Sequence, residues 1–86
     1  MINEQLLRNN LARNLRTLRL MKDPYISQEA LAHYTGTTQR SISRYERGEI
    51  LPPLYILAGI ARYFGCTMDE LLQDGLPEKK GRDKNE

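Results

Sequence analysis

Tryptophan is absent, and cysteine, histidine and phenylalanine occur once each among the 86 residues. The lone Cys66 excludes an internal disulfide, and with His33 as its only histidine partner it cannot assemble a structural zinc site. Long apolar runs are missing too. The longest, Ile50 to Ala58, contains Pro52 and Pro53 and falls far below the roughly 20 apolar residues of a membrane span. The opening Met1-Ile2-Asn3-Glu4 lacks the basic-then-apolar order of a signal peptide, so a cytoplasmic location with no membrane contact is expected. No metal cluster, Gly-rich phosphate loop, or nucleophile beside a base stands at a suggestive spacing. An enzyme is therefore not expected, and neither a metal nor a cofactor is implied. A chain this short hides only about 60% of its unfolded surface on folding, which leaves room for a single core.

What is present is unevenly charged. The formal net charge of +2 divides into +3 over residues 1–26, +1 over 27–48, −3 over 49–75 and +1 over 76–86. A basic first half beside a mildly acidic second half suits one-sided contact with a polyanion.

Apolar periodicity is helical nearly throughout, and no stretch alternates as a half-buried strand does, so the class is all-α. Leu7, Leu11, Leu15 and Leu18 fall on one face of a first helix that Lys22-Asp23-Pro24 ends, with Arg8, Arg13 and Arg16 mainly on its wet side. Ser27 suits the N-cap of a second helix running to about Tyr34 and stopped by Gly36. Thr38 caps a third, with Ile42 and Tyr45 inward, Gln39, Arg40, Ser43 and Arg44 outward, and Gly48 as its stop. Pro52-Pro53 opens a fourth whose buried stripe is Leu54, Leu57, Ile60, Ala61 and Phe64, and Gly65 ends it. Thr67 to Glu70 matches a capping box for a short fifth helix that returns Leu71 and Leu72 to the core. From Leu76 the chain is charged and carries Pro77 and Gly81, so residues 1–75 read as one domain and 76–86 as a disordered tail.

Residues 28–45 hold the most specific pattern: Gln28, Ala32 and Gly36 at intervals of four, then Ile42 and Tyr45. Two helices crossing steeply through a tight turn need a small residue where they touch, a glycine in the turn and an apolar anchor on the second helix. That is a helix-turn-helix, over about 27–47, with one face of its second helix left exposed. From Leu11 to Leu72 the sequence resembles the phage repressor and Cro (Xre) type of helix-turn-helix protein. The resemblance is carried by Ser27 to Ala32, Gly36 to Ile42, Tyr45-Glu46-Arg47-Gly48 and Phe64-Gly65. It implies a compact five-helix fold, double-stranded DNA as partner and a homodimer on an operator. Asp23-Pro24-Tyr25 looks like an insertion relative to that pattern, Thr35 replaces an apolar residue, and Glu49-Ile50-Leu51 replaces a loop that is often basic.

Arginine can donate two parallel hydrogen bonds to guanine and glutamine can pair twice with adenine, so Gln39, Arg40 and Arg44 suit base edges. The Thr38 methyl suits thymine, and Ser43 suits either job. The resemblance implies a phosphate contact at Gln28 and an internal ion pair between Arg19 and Glu46; Arg47 and Arg16 are further phosphate candidates. Ile50, Leu51, Leu54 and Tyr55, with Leu72 and Leu76 beside them, form the candidate dimer surface. His33 reads as a solvated histidine, Cys66 as a buried thiol, the five tyrosines as mostly inward, and the Lys79-Lys80-Gly81-Arg82 cluster as a solubilising tail. Two functions stay open. One is a sequence-specific transcriptional regulator, most often a repressor in such families. The other is a protein-interaction module on the same scaffold, such as the antitoxin of a toxin and antitoxin pair.

Overall fold

A computed structural model describes residues 2–76. Five helices follow in chain order: α1 (Glu4–Met21), α2 (Gln28–Thr35), α3 (Gln39–Glu46), α4 (Leu54–Phe64) and α5 (Met68–Leu72). The described residues contain no strand, and the fold is all-α.

Local chemistry accounts for the boundaries. Asn3 begins α1, its side-chain oxygen accepting from the Leu6 amide at 2.8 Å. Ser27 and Thr38 do the same for the Ala30 and Ser41 amides, at 3.0 and 3.1 Å. Each satisfies a donor that the first helical turn leaves without a partner. Thr67 and Glu70 close both bonds of the capping box, each at 2.9 Å. Gly36 ends α2 at φ +79°, a left-handed conformation that a Cβ disfavours.

Leu11, Leu15, Leu31, Ile42, Ile60 and Leu71, drawn from all five helices, are fully buried in one core. Burying each aliphatic side chain contributes about 1.5–3 kcal/mol. α1 packs on α3 and α5, α2 on α3 and α4, and α5 on α4 as well. The short α5 is tied down by α1: Asn10 donates to Leu72 O, and Asn14 to Leu71 O and Gln73 O, all at 2.9 Å. These amides occupy carbonyls that a helix end would otherwise leave open.

Several expectations are corrected. Leu54 is not part of the buried stripe of α4; it is 71% exposed, and Ile56 takes its place inside. Leu54 is the first residue of α4, and the buried side of that helix runs through Ile56, Leu57, Ile60 and Ala61. Phe64, Leu72 and Cys66 are half-buried against the core, where full burial is expected from sequence. Of the five tyrosines only Tyr45 is buried; Tyr25, Tyr34 and Tyr55 are exposed and Tyr63 is half-buried. Tyr34 stacks on Tyr63 with centroids 5.3 Å apart, and the Lys22 ammonium lies 5.1 Å from the Tyr63 ring centre. Rings that periodicity sends inward therefore pack on one another at the surface. His33 is exposed beside Tyr34. Thr35 fits its half-buried place because its hydroxyl donates to Leu31 O at 2.8 Å. The tail expected from 76 to 86, with its Lys79 to Arg82 cluster, lies outside the described residues except for Leu76.

Candidate nucleic-acid interface

α3 is divided sharply along its length. Ile42 and Tyr45 are buried, with Ala32 of α2 small enough to let the two helices meet. Thr38, Gln39 and Arg40 are exposed, and Ser43 and Arg44 half-exposed, so the candidate base-reading residues share the open side of one helix.

Beneath that side lies a buried ion pair. Arg19 Nε donates to Glu46 Oε2 at 2.7 Å and its Nη2 to Oε1 at 2.9 Å, with the side chains only 7% and 3% exposed. Arg19 Nη1 also donates to Ile26 O at 3.0 Å, so one guanidinium ties α1 to the end of α3 and to the segment before α2. The hydrogen bonds that Arg19 donates to Glu46 raise the Arg19 pKa above the ordinary arginine value, against the opposing effect of burial.

The pair also supports the exposed face. Gln28 Nε2 donates to Glu46 Oε1 at 3.0 Å, and Gln39 Nε2 donates to Gln28 Oε1 at 2.7 Å. A hydrogen-bonded chain thus runs from Arg19 in the core through Glu46 and Gln28 to Gln39 at the start of α3. Spacing alone places Gln28 at the N-terminus of α2; its role as a link between Glu46 and Gln39 is visible only in three dimensions.

A second cluster occupies the far end of α3. Arg44 Nε donates to Glu49 Oε1 at 3.1 Å, Arg47 Nε donates to Glu49 Oε2 at 2.7 Å, and Arg47 Nη1 donates to the Ser43 hydroxyl. The two arginines, Arg47 before Arg44, hold the exposed Glu49 carboxyl below its ordinary value. The pairing of Glu49 with both arginines is what sequence reasoning missed. Glu49 stands five residues after Arg44 and two after Arg47, neither of which is a helical-neighbour spacing. Arg40 and Arg16 are exposed, with no hydrogen-bonding or ionic partner among the described residues. Arg16 lines a groove with Arg13, Arg47 and Gly48. Arg13 itself pairs with Asp74 at 2.8 Å.

Of the candidate dimer residues, Leu54 and Tyr55 are 71% and 75% exposed, whereas Ile50 and Leu51 are half-buried against the core. Leu72 and Leu76 are half-buried as well.

Two helices joined by a tight glycine turn, the second half-exposed and studded with amide and guanidinium donors, define a DNA-binding helix-turn-helix protein. The helix-turn-helix family model matches residues 15–71, and the chain belongs to that family, the Xre type of DNA-binding transcription regulators. Among solved structures it is similar to the hypothetical transcription factor NHTF from Neisseria, with 30% identity, a TM-score of 0.72, and coverage of 100% of this chain and 92% of that one. It is also similar to the clp gene regulator ClgR from Corynebacterium glutamicum, with 26% identity, a TM-score of 0.68, and coverage of 77% and 68%. No curated protein matches the chain. No helix among the described residues is long and apolar enough to cross a membrane.

Proposed function

We propose that the protein is a sequence-specific repressor whose residues 1–75 form the DNA-binding unit, two copies of which place α3 in successive major grooves of a near-palindromic operator. The observation that carries this reading is the two-sided α3: Ile42 and Tyr45 anchor it while Thr38, Gln39, Arg40, Ser43 and Arg44 face outward together. Gln39 and Arg40 have the donor geometry for adenine and guanine, and the Gln28 link to the buried ion pair supports Gln39 in a fixed orientation. Arg16 and the N-terminus of α2 at Gln28 serve as phosphate contacts, setting register without reading sequence.

One α3 reads only a few base pairs, so specificity requires a second copy, with half-site centres about 10–10.5 base pairs apart. Leu54 and Tyr55 are the exposed apolar side chains assigned to that contact. The test is enrichment of random duplexes on the purified protein, followed by affinity measurements across a salt series. A single enriched motif with two related halves, and affinity falling steeply with salt, is the expected result. A stable complex with another protein, accompanied by weak binding to every duplex alike, would refute the reading.

A further inference from the structure

The charge cluster at the far end of α3 is held by backbone as well as by side chains. Gly48 sits at φ +71° and donates to Tyr45 O at 3.1 Å, while Glu49 N donates to Arg44 O at 3.1 Å. These are the two bonds of a Schellman motif, which folds the chain back over the last helical turn. Glu49 is thereby fixed beside Arg44 in a position that does not depend on side-chain chance.

The donors of the two arginines are spent differently. Arg44 uses Nε on Glu49, and both of its terminal nitrogens lack a partner among the described residues. Arg47 uses all three nitrogens, Nε and Nη2 on Glu49 and Nη1 on Ser43. A guanidinium held at Nε with both terminal nitrogens open retains the two parallel donors that guanine O6 and N7 accept. Arg47 spends three of its five N–H donors internally and has its charge offset by the adjoining Glu49 carboxylate, so its pull on a phosphate is weakened and a phosphate that approached it would also meet the Glu49 anion.

The geometry points to Glu49 as a specificity-determining residue: it positions Arg44 toward a guanine and withholds Arg47 from phosphate. This rests on the reading of α3 as the recognition helix. Phosphate contacts strengthen binding to every sequence alike, and base contacts separate one sequence from another. A carboxylate that removes one of the former while orienting one of the latter raises discrimination at the expense of total affinity.

The experiment compares wild type, Glu49→Ala, Glu49→Gln, Arg44→Ala and the Glu49→Ala/Arg44→Ala double variant on the enriched operator, its single-base substitutions and an unrelated duplex, across salt concentration. Glu49 is exposed, so these substitutions leave the core untouched, and melting curves verify it. In Glu49→Ala the unrelated duplex is expected to bind more tightly, its salt slope steepening by about one phosphate contact. The preference for operator over unrelated duplex falls about tenfold, and the loss concentrates at the base pair that Arg44→Ala also ceases to read. In the Arg44→Ala background, Glu49→Ala costs no further discrimination.

Equal tightening on operator and unrelated duplex overturns the proposal, because it would make Glu49 a simple charge barrier. An unchanged ratio, or a loss spread evenly over all positions, overturns it as well. Failure of the underlying reading looks different: wild type itself then prefers no duplex, and both ideas fall together.

Discussion

Glu46 joins the core to the exposed face, accepting twice from Arg19 and once from Gln28. Glu46→Ala would strand a guanidinium that is 7% exposed, at an expected cost of about 3–5 kcal/mol in a denaturant titration. It should also free Gln28 and Gln39, so that a variant melting like wild type would show the pair to be superficial. Glu49 behaves differently because it is exposed. Arg47 first and Arg44 second depress its carboxyl below the ordinary 4.5. A lowered folded-state value means that the stabilising contact is complete above 4.5 and is lost as pH falls through the lower value. In Arg47→Ala the Glu49 titration midpoint, followed by carbon-detected NMR, should move back up toward 4.5. The Arg19–Glu46 pair was legible from sequence by resemblance. The two arginines on Glu49 were not, since their approach depends on the positive φ of Gly48.

α3 is short, at 8 residues, below the length at which an isolated helix holds in water. Its persistence depends on the Thr38 cap, the Ile42 and Tyr45 anchors and the Schellman turn at its end. Gly48→Ala tests the last. A Cβ there would adopt a disfavoured left-handed conformation and lie 3.3 Å from Asn9 Oδ1, so unfolding should become easier by about 1–2 kcal/mol. On the exposed face, Arg40→Ala should melt like wild type yet lose about 1–3 kcal/mol of discrimination at one base pair, measured on a panel of singly substituted operators. Unchanged preference at every position would remove Arg40 from the reading face. The caps of α2, α3 and α5 were readable from Ser27, Thr38 and the Thr67/Glu70 pair because capping is decided within four residues. The inward stripe of α4 was not, because Leu54 and Ile56 are both apolar and only packing shows that Ile56 is buried and Leu54 exposed.

For the whole molecule, the proposed function divides the labour between a core drawn from all five helices and two of its exposed surfaces. One is the outer side of α3; the other carries Leu54 and Tyr55. Because both of these residues are exposed, Leu54→Glu and Tyr55→Glu should leave the monomer's melting unchanged. Each should abolish cooperative occupancy of a two-part operator, as read by ultracentrifugation of the protein–DNA complex. Cooperative binding that survives in both variants would move the contact to another face. Ile50 and Leu51 are less suited to a reporter role, since they also pack against the core and their substitution would confound folding with assembly.

The class, the order of five helices and the helix-turn-helix follow from short-range chemistry written in the chain. Leucines three and four apart, hydroxyl caps, glycine stops and the small Ala32 act over one or two turns and need no knowledge of distant residues. The hydrogen-bonded chain from Arg19 to Gln39, the stacking of Tyr34 on Tyr63 and the closure of Arg47 by Glu49 join residues from separate helices or across a turned loop. Their distances are set by how α1, α2, α3 and α4 pack and by the backbone reversal at Gly48. No period along the sequence encodes such contacts, so only the tertiary structure decides which donors on α3 remain open.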